Sequence, residues 1–599
     1  MSRRLALISL FLLSALAAAS RAGAAERCQL LHLGDLPVTM EGTVPMINAT
    51  IDGEPVRLIA DSGAFFNTLG ANEATRLKLK HTVYGGLLVK GVNGVVSAVV
   101  ETADQFTVLD HTFKDIPFVT APNYYSRQAA GLLGQNFLNV WETEYDLADG
   151  AIRLFKTQNC GDAALAYWAG PSMPYSVISI DPSTNTSRAI RGHVSVNGVE
   201  LTAVFDTGTP RSVLSLAGAA KAGIKRSDPS LQPGGVSGGI GRRLEQTWIA
   251  PVTSFKIGDE EVKNTRLRVA EIEIDNGDML IGADFFLSHR VLVANSQHKL
   301  YLTYNGGPVF NLEVAKDQAP AAPGAEPALA PPAETANADE PKDADGFVRR
   351  AEASAARQEY AQAIDEYTRA IALSPKDPQI LYARGRTYEV DRQPKLAQAD
   401  FDAALRLKPD DAIILMSRGA LHLQDKDMTL ARADFDAAAK LDRNLMVTIG
   451  DLYTHEGAYA EAVAEFDVWL SGLPHGQNGV TAFNDRCWAR AIWNRDLDMA
   501  LADCNEAVKL QPNNLSIRDS RGLVYLRLGR YDEAIRDYDF IINEQPKKAW
   551  SLYCRGVAKL KAGKVAQGQA DMSAATGISP EVADRAKRFG LLDEAASVP

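Results

Sequence analysis

The sequence predicts a multidomain chain, an all-β two-lobed domain followed by an all-α solenoid of helix pairs. Three observations predict it. Short Val/Ile/Leu/Thr runs broken by Asn-Gly and Asp-Gly fill residues 28–312. One block of that region returns about 145 residues later. From Gly346 onward, prolines and glycines recur in steps of about 34 residues.

At 599 residues the chain exceeds a single core, which sets an expectation of two to four domains. Hydrophobic content of 46% and charged content of 23% are those of globular protein. A net charge of -11 argues against a general nucleic-acid or anionic-membrane binder.

The N-terminus "MSRRLALISLFLLSALAAASRAGAAE" places Arg3 and Arg4 before an apolar run, Leu5 to Ala19, and small residues after it. That order predicts a secretory signal peptide over 1–24, cleaved because the apolar run is short for a membrane span. The mature chain is then expected in a periplasm or outside the cell, with no stable membrane insertion. Such compartments permit disulfides. Cys28 and Cys160 bracket the first lobe and are a candidate staple. Cys487, Cys504 and Cys554 fall on predicted helices, where buried free thiols are the plainer expectation. No Cys/His spacing points to a metal, and no cofactor motif stands out.

The β region reads as hairpins. "MINATIDGEPVRLIAD" and "HVSVNGVELTAVFD" are strand, tight turn, strand, with Asp-Gly or Asn-Gly supplying the positive φ. The first lobe is set at 28–165 and the second at 166–312. Residues 313–345 are Ala, Pro and acid with almost no large apolar side chains, and predict a flexible linker. Residues 346–580 form the repeats and 581–599 a tail. Pro375, Pro409, Pro474, Pro512, Pro546 and Pro580 fall at or near the step, and Gly385 with Gly419 and Gly522 with Gly556 keep it. The clearest copy is "RGLVYLRLGRYDEAIRDYDFIINEQP". Its small and large residues alternate as two packed helices require, with proline stopping the second. This resembles the tetratricopeptide repeat, in about seven helix pairs. The resemblance implies a groove that binds a partner protein or peptide.

The duplication carries the chemistry. "RLIADSGAFFN" holds Asp61-Ser62-Gly63 and "AVFDTGTPRS" holds Asp206-Thr207-Gly208. Each follows a hairpin. Each is followed by a glycine-rich hairpin candidate, with Gly91 and Gly94 in the first half and Gly238, Gly239 and Gly241 in the second. Then come "GLLGQNF" with Gly134 and "MLIGADFF" with Gly282. Four elements in one order, twice, mark an internal duplication.

These residues resemble the aspartic proteases of the pepsin and retropepsin kind. The likeness covers residues 40–305. It implies a β fold with one aspartate from each half at the lobe interface, and flaps over an extended peptide. Asp61 and Asp206 are then the catalytic pair. Two carboxylates about 3 Å apart cannot both ionise, so they share a proton and activate a water between them. Gly63 and Gly208 let backbone amides crowd the carboxylates. By the resemblance, Ser62 and Thr207 lock the two loops through hydroxyl hydrogen bonds. Gly134 and Gly282 make room for a loop to thread. Ser212 fits the family's further Ser/Thr, whereas the first half has Asn67 there. The nine histidines present no Ser/His/Asp or Cys/His constellation. The reading is an exported aspartic endopeptidase acting on a peptide or protein substrate. The alternative is a non-catalytic scaffold in which the same fold and the repeats bind peptides.

Overall fold

The computed structural model describes residues 28–91, 94–121, 129–170, 174–183, 188–226, 228–237, 245–310, 312, 340–473 and 479–591. The signal segment, linker residues 313–339 and the candidates Gly238, Gly239 and Gly241 lie outside the described residues. The chain divides between Pro375 and Lys376 into two compact units.

In the first unit, each half of the duplication builds the same crossed arrangement. Strand Glu54–Ala60 runs parallel to Gly131–Leu133, with Ile59 opposite Leu132. Gly131–Leu133 pairs antiparallel with Thr68–Gly70, which runs parallel to His111–Ala121. In the second half Val199–Phe205 runs parallel to Met279–Ile281, with Val204 opposite Leu280. Met279–Ile281 pairs with Val213–Ser215, and that strand with Glu260–Ala270. Both aspartates therefore stand at the end of a central strand, where a loop leaves the sheet.

The halves are joined by a continuous sheet. Strand Glu142–Asp146 of the first half pairs with His289–Ala294 of the second, with Leu292 opposite Glu144. This seam is charged as well as hydrogen-bonded. Glu144 and Asp146 are buried. Arg153 Nη1 donates to Glu144 Oε1 at 2.6 Å and to Asp146 Oδ2 at 2.7 Å. Arg290 Nε reaches Glu144 Oε1 from the other half at 3.1 Å. Slipping the seam by one residue would strand a buried charge, at a cost of about 3–5 kcal/mol. Aromatic packing completes it: Tyr145 meets Phe286 edge-on with ring centroids 5.3 Å apart. The Cys28–Cys160 disulfide ties the start of the first half to its end.

The sequence separates the β domain from the repeats by a linker through residue 345, and here the structure differs. Asp343 caps a helix, Ala344–Ala356, by accepting from Gly346 N at 2.7 Å. That helix packs on the β domain, and Ala353 and Ala356 belong to the same buried core as Leu58, Leu133 and Phe205. Its small residues are what let helix and sheet approach. Arg357 Nη1 donates to Leu287 O at 3.2 Å, and Met40 N donates to Glu352 Oε2 at 3.1 Å. The first helix pair, Ala344–Ala356 with Tyr360–Leu373, is thus part of the first unit.

The second unit holds six more helix pairs among the described residues, from Pro378–Val390 to Val565–Ile578. An ionic rung recurs inside them. Arg384 grips Asp400 with two hydrogen bonds of 2.8 Å, and Arg555 grips Asp571 in the same fork. Cys487 and Cys504 are not the free thiols expected. They form a disulfide between Val480–Trp493 and Leu497–Leu510. Only Cys554 of the described cysteines is free, and it is buried. Nor is 581–599 simply a tail, because Val582–Arg588 is a helix. Its Arg585 lies over the Trp550 ring at 4.4 Å, and Val582 and Ala586 are buried. No helix among the described residues is long and apolar enough to cross a membrane.

Glu352 gives a testable consequence. Burial pushes its carboxyl up to about 7, opposed by the Met40 amide and by Arg57 and Arg349. An unfolded glutamate ionises near 4.3. Between these values the folded chain holds the extra proton, so this group's contribution to stability falls as pH rises, and the full cost applies above 7. Glu352→Gln keeps the acceptor oxygen for Met40. It should match the parent near pH 4 and exceed it by on the order of 2 kcal/mol at pH 8. Urea denaturation of the whole chain at both pH values checks this. A variant less stable at pH 8 contradicts it.

Candidate active site

Leu58 and Ala60 point into the core, and strand alternation turns Ile59 and Asp61 to the other face. The same alternation turns Val204 and Asp206 away from Ala203 and Phe205. Asp61 N donates to Leu133 O at 3.0 Å and Asp206 N to Ile281 O at 2.8 Å. These bonds pin the start of each loop.

Two hydroxyls then lock the loops to each other. Ser62 Oγ donates to Phe205 O at 2.9 Å and accepts from Thr207 N at 2.9 Å. Thr207 Oγ1 donates to Ala60 O at 2.6 Å and accepts from Ser62 N at 3.0 Å. Each half satisfies the other's buried backbone, and both side chains are fully buried. Gly63 and Gly208 sit against the opposite carboxyl. A Cβ on Gly63 would collide with Asp206, and one on Gly208 with Asp61.

Each carboxylate is held by its own loop. Asp61 Oδ1 accepts from Gly63 N and Ala64 N, both at 2.8 Å. Asp206 Oδ1 accepts from Gly208 N at 3.0 Å and Thr209 N at 3.2 Å. Asp206 Oδ2 also takes the Thr209 hydroxyl at 2.7 Å. The first loop has Ala64 at that place and no such donor. Burial, then the charge of Asp206 and a hydrogen bond to it, push the Asp61 carboxyl well above the usual range, against the Ala64 and Gly63 amides. The pair therefore holds a proton that an isolated aspartate would have lost.

Gly134 and Gly282 carry the threading loops, where a Cβ would meet the Phe66 and Arg211 backbones. The Asn67 departure resolves here. Gly134 N donates to Asn67 Oδ1, and Gly282 N to Ser212 Oγ, both at 2.9 Å. Amide and hydroxyl oxygens thus do the same work in the two halves. Gly91 pairs with Gly94 at the end of the hairpin formed by Lys80–Gly91 and Gly94–Val108.

The sequence reading passed over the walls. Ile59 with Leu132, and Val204 with Leu280, form two small apolar clusters apart from the main core. Period-two alternation back from each aspartate is the signal that finds them. It also passed over Thr209, whose hydroxyl breaks the symmetry of the dyad. His289 is buried. Its Nδ1 lies 2.9 Å from Ser288 Oγ and its Nε2 lies 3.0 Å from Glu260 Oε1. Ser288 is also buried and donates to Phe285 O, so this trio is a packing feature without an accessible nucleophile. Among the described residues no group of three or more His, Cys, Asp or Glu is placed to hold a metal ion.

The hydroxyl lock makes a sharp prediction. Thr207→Val leaves Ser62 N and Ala60 O without partners and should lower stability by about 2–4 kcal/mol. Thr207→Ser keeps the hydroxyl and should recover most of that. Denaturant midpoints of the two variants decide it, and equal values contradict the lock.

Residues 47–137 and 193–285 both match the family model of the aspartyl protease. Residues 351–389 match a TPR repeat model, and 382–445 a tetratricopeptide repeat model. Two curated relatives are similar over short stretches. DnaJ homolog subfamily C member 3 of Gallus gallus is 25% identical over 96 residues, 16% of this chain and 19% of that protein. Small glutamine-rich tetratricopeptide repeat-containing protein 2 of Saccharomyces cerevisiae is 31% identical over 80 residues, 13% of this chain and 22% of that protein. The matched stretches thus span about a fifth of the length of these relatives. A solved tetratricopeptide repeat protein from Parabacteroides merdae ATCC 43184 is similar at 16% identity and a TM-score of 0.33. That match covers 41% of this chain and 98% of that one. The chain carries a duplicated aspartyl protease domain followed by tetratricopeptide repeats.

Proposed function

We propose that the chain is an exported aspartic endopeptidase whose repeats bind a partner or substrate protein. The observation that carries the reading is the Asp61–Asp206 pair, each carboxyl set against the opposite loop's glycine and the Asp61 carboxyl pushed well above its usual range. Asp206 accepts three hydrogen bonds and Asp61 two, and the raised Asp61 carboxyl is the one that carries the proton. Asp206 takes a proton from the attacking water. Asp61 donates to the substrate carbonyl oxygen as the tetrahedral intermediate forms. Proton return to the amide nitrogen then expels the amine. Every proton stays within the pair, the water and the peptide.

The apolar clusters beside the aspartates favour apolar side chains flanking the scissile bond. Export is supported by the signal-like N-terminus and by two disulfides, which persist in an oxidising compartment such as a periplasm. Helix-pair repeats present a protein-binding groove, which here would gather substrate or dock the enzyme on a partner.

The test is cleavage of a mixed peptide library by the mature chain from pH 3 to 8. The parent should cut between apolar residues. Asp61→Asn and Asp206→Asn should each lower kcat by at least about 1000-fold. Because Asp61 keeps its proton above the usual carboxylate range, the alkaline limb should fall later than an ordinary aspartate would set. Full activity in Asp61→Asn, or silence of a folded parent at every pH, contradicts the reading.

A further inference from the structure

The duplication allows the two sides of the dyad to be compared position by position. The loop after Asp61 reads Ala64-Phe65-Phe66-Asn67, and the loop after Asp206 reads Thr209-Pro210-Arg211-Ser212. The same backbone bonds hold both: Gln135 N donates to Ala64 O and Ala283 N to Thr209 O, each at 2.8 Å. Phe66 and Arg211 therefore occupy equivalent places on opposite sides of the carboxyl pair. Phe66 is 40% exposed, and Arg211 is partly exposed. One side is aromatic and the other cationic.

Arg188 and Arg211 have no carboxylate within ion-pair distance among the described residues. Arg188 lies over the Phe65 ring at 5.3 Å, spanning from one half to the other. The next residue, Ala189, packs on the Val204 and Leu280 wall. Arg268 is buried and donates to Gly234 O and to Thr247 Oγ1. Those partners lie on strands Gln232–Ser237 and Glu245–Ile257, the glycine-rich hairpin of the second half. Burial first, and then Arg211, push the Arg268 guanidinium down to about 10, with Asp284 opposing.

We propose that Arg211 forms a carboxylate-binding subsite beside the dyad, so that the preferred substrate is an extended peptide with an aspartate or glutamate near an apolar scissile pair. This rests on the peptide-cleft reading of the site. A carboxylate placed there relieves the Arg211–Arg268 repulsion and gains charge-assisted hydrogen bonds. Recognition is local, because a chain of net charge -11 does not draw acidic peptides by its overall field.

The experiment uses peptides with one apolar scissile pair, differing only as Glu or Gln at each of three positions on either side. Cleavage gives kcat/KM. Calorimetry on the same sequences with an uncleavable reduced bond gives Kd. In one register the parent should favour Glu over Gln by about 10-fold or more, and less in high salt. Arg211→Met should remove that preference, Arg211→Lys should keep part of it, and Arg211→Glu should turn it toward Lys. Cutting of a Gln peptide should survive in Arg211→Met. Equal cleavage of Glu and Gln at every position overturns the subsite and leaves the protease reading standing. No cleavage, with Glu-dependent binding lost in Arg211→Met, overturns catalysis and supports the subsite. Neither cleavage nor Glu-dependent binding overturns both.

Discussion

Ser62 gives its hydroxyl hydrogen to a carbonyl of the second half, and Thr207 gives its own to a carbonyl of the first. Each hydroxyl also receives the other's backbone N–H. These four bonds are buried, where an unmade partner costs more than a made one gains. They fix the spacing of the two loops, and the loops carry the carboxyls. Nothing larger than glycine fits at positions 63 and 208, so the same bonds press each carboxyl against the opposite loop. The raised Asp61 carboxyl follows from that placement. The joined sheet, with its buried Glu144, Arg153 and Arg290, holds the halves in the register the lock needs.

Duplication made the halves alike, and divergence has since given them different tasks. Asn67 and Ser212 anchor equivalent glycine amides with different oxygens, which preserves geometry. Thr209 against Ala64 changes chemistry, because only one carboxyl gains a hydroxyl donor. Phe66 against Arg211 changes the surroundings of the dyad. A two-chain enzyme built from identical halves has none of these choices. A single chain can assign proton, charge and substrate polarity to separate sides.

Much of this was legible in the sequence because the repeated pattern is local. Asp-Ser-Gly and Asp-Thr-Gly follow strands with period-two alternation, and the later glycines arrive in order. The helix pairs showed through their regular step. What stayed hidden depends on contacts between distant segments. The docking of Ala353 and Ala356 into the β core cannot be read from a helix whose own neighbours look like any repeat. The Cys487–Cys504 bond needed the two helices of one pair to be laid side by side. Buried His289 looked like an ordinary polar residue until Phe285 was found stacked on it at 3.9 Å. Asn67 departs from the second half in residue type and matches it in hydrogen-bonding capacity.

The central claim is that the two carboxyls share one proton. Carbon-13 labelling of aspartate and NMR titration of the parent, Asp61→Asn and Asp206→Asn measure it directly. One dyad carboxyl carbon should remain protonated well above pH 4 in the parent, and its signal should disappear in Asp61→Asn. Asp149, pushed up to about 7 by burial and then by Asp146, should persist in both variants and so marks the difference. If both dyad carboxyls titrate together as ordinary aspartates, the lock does not bring them into contact and the account fails.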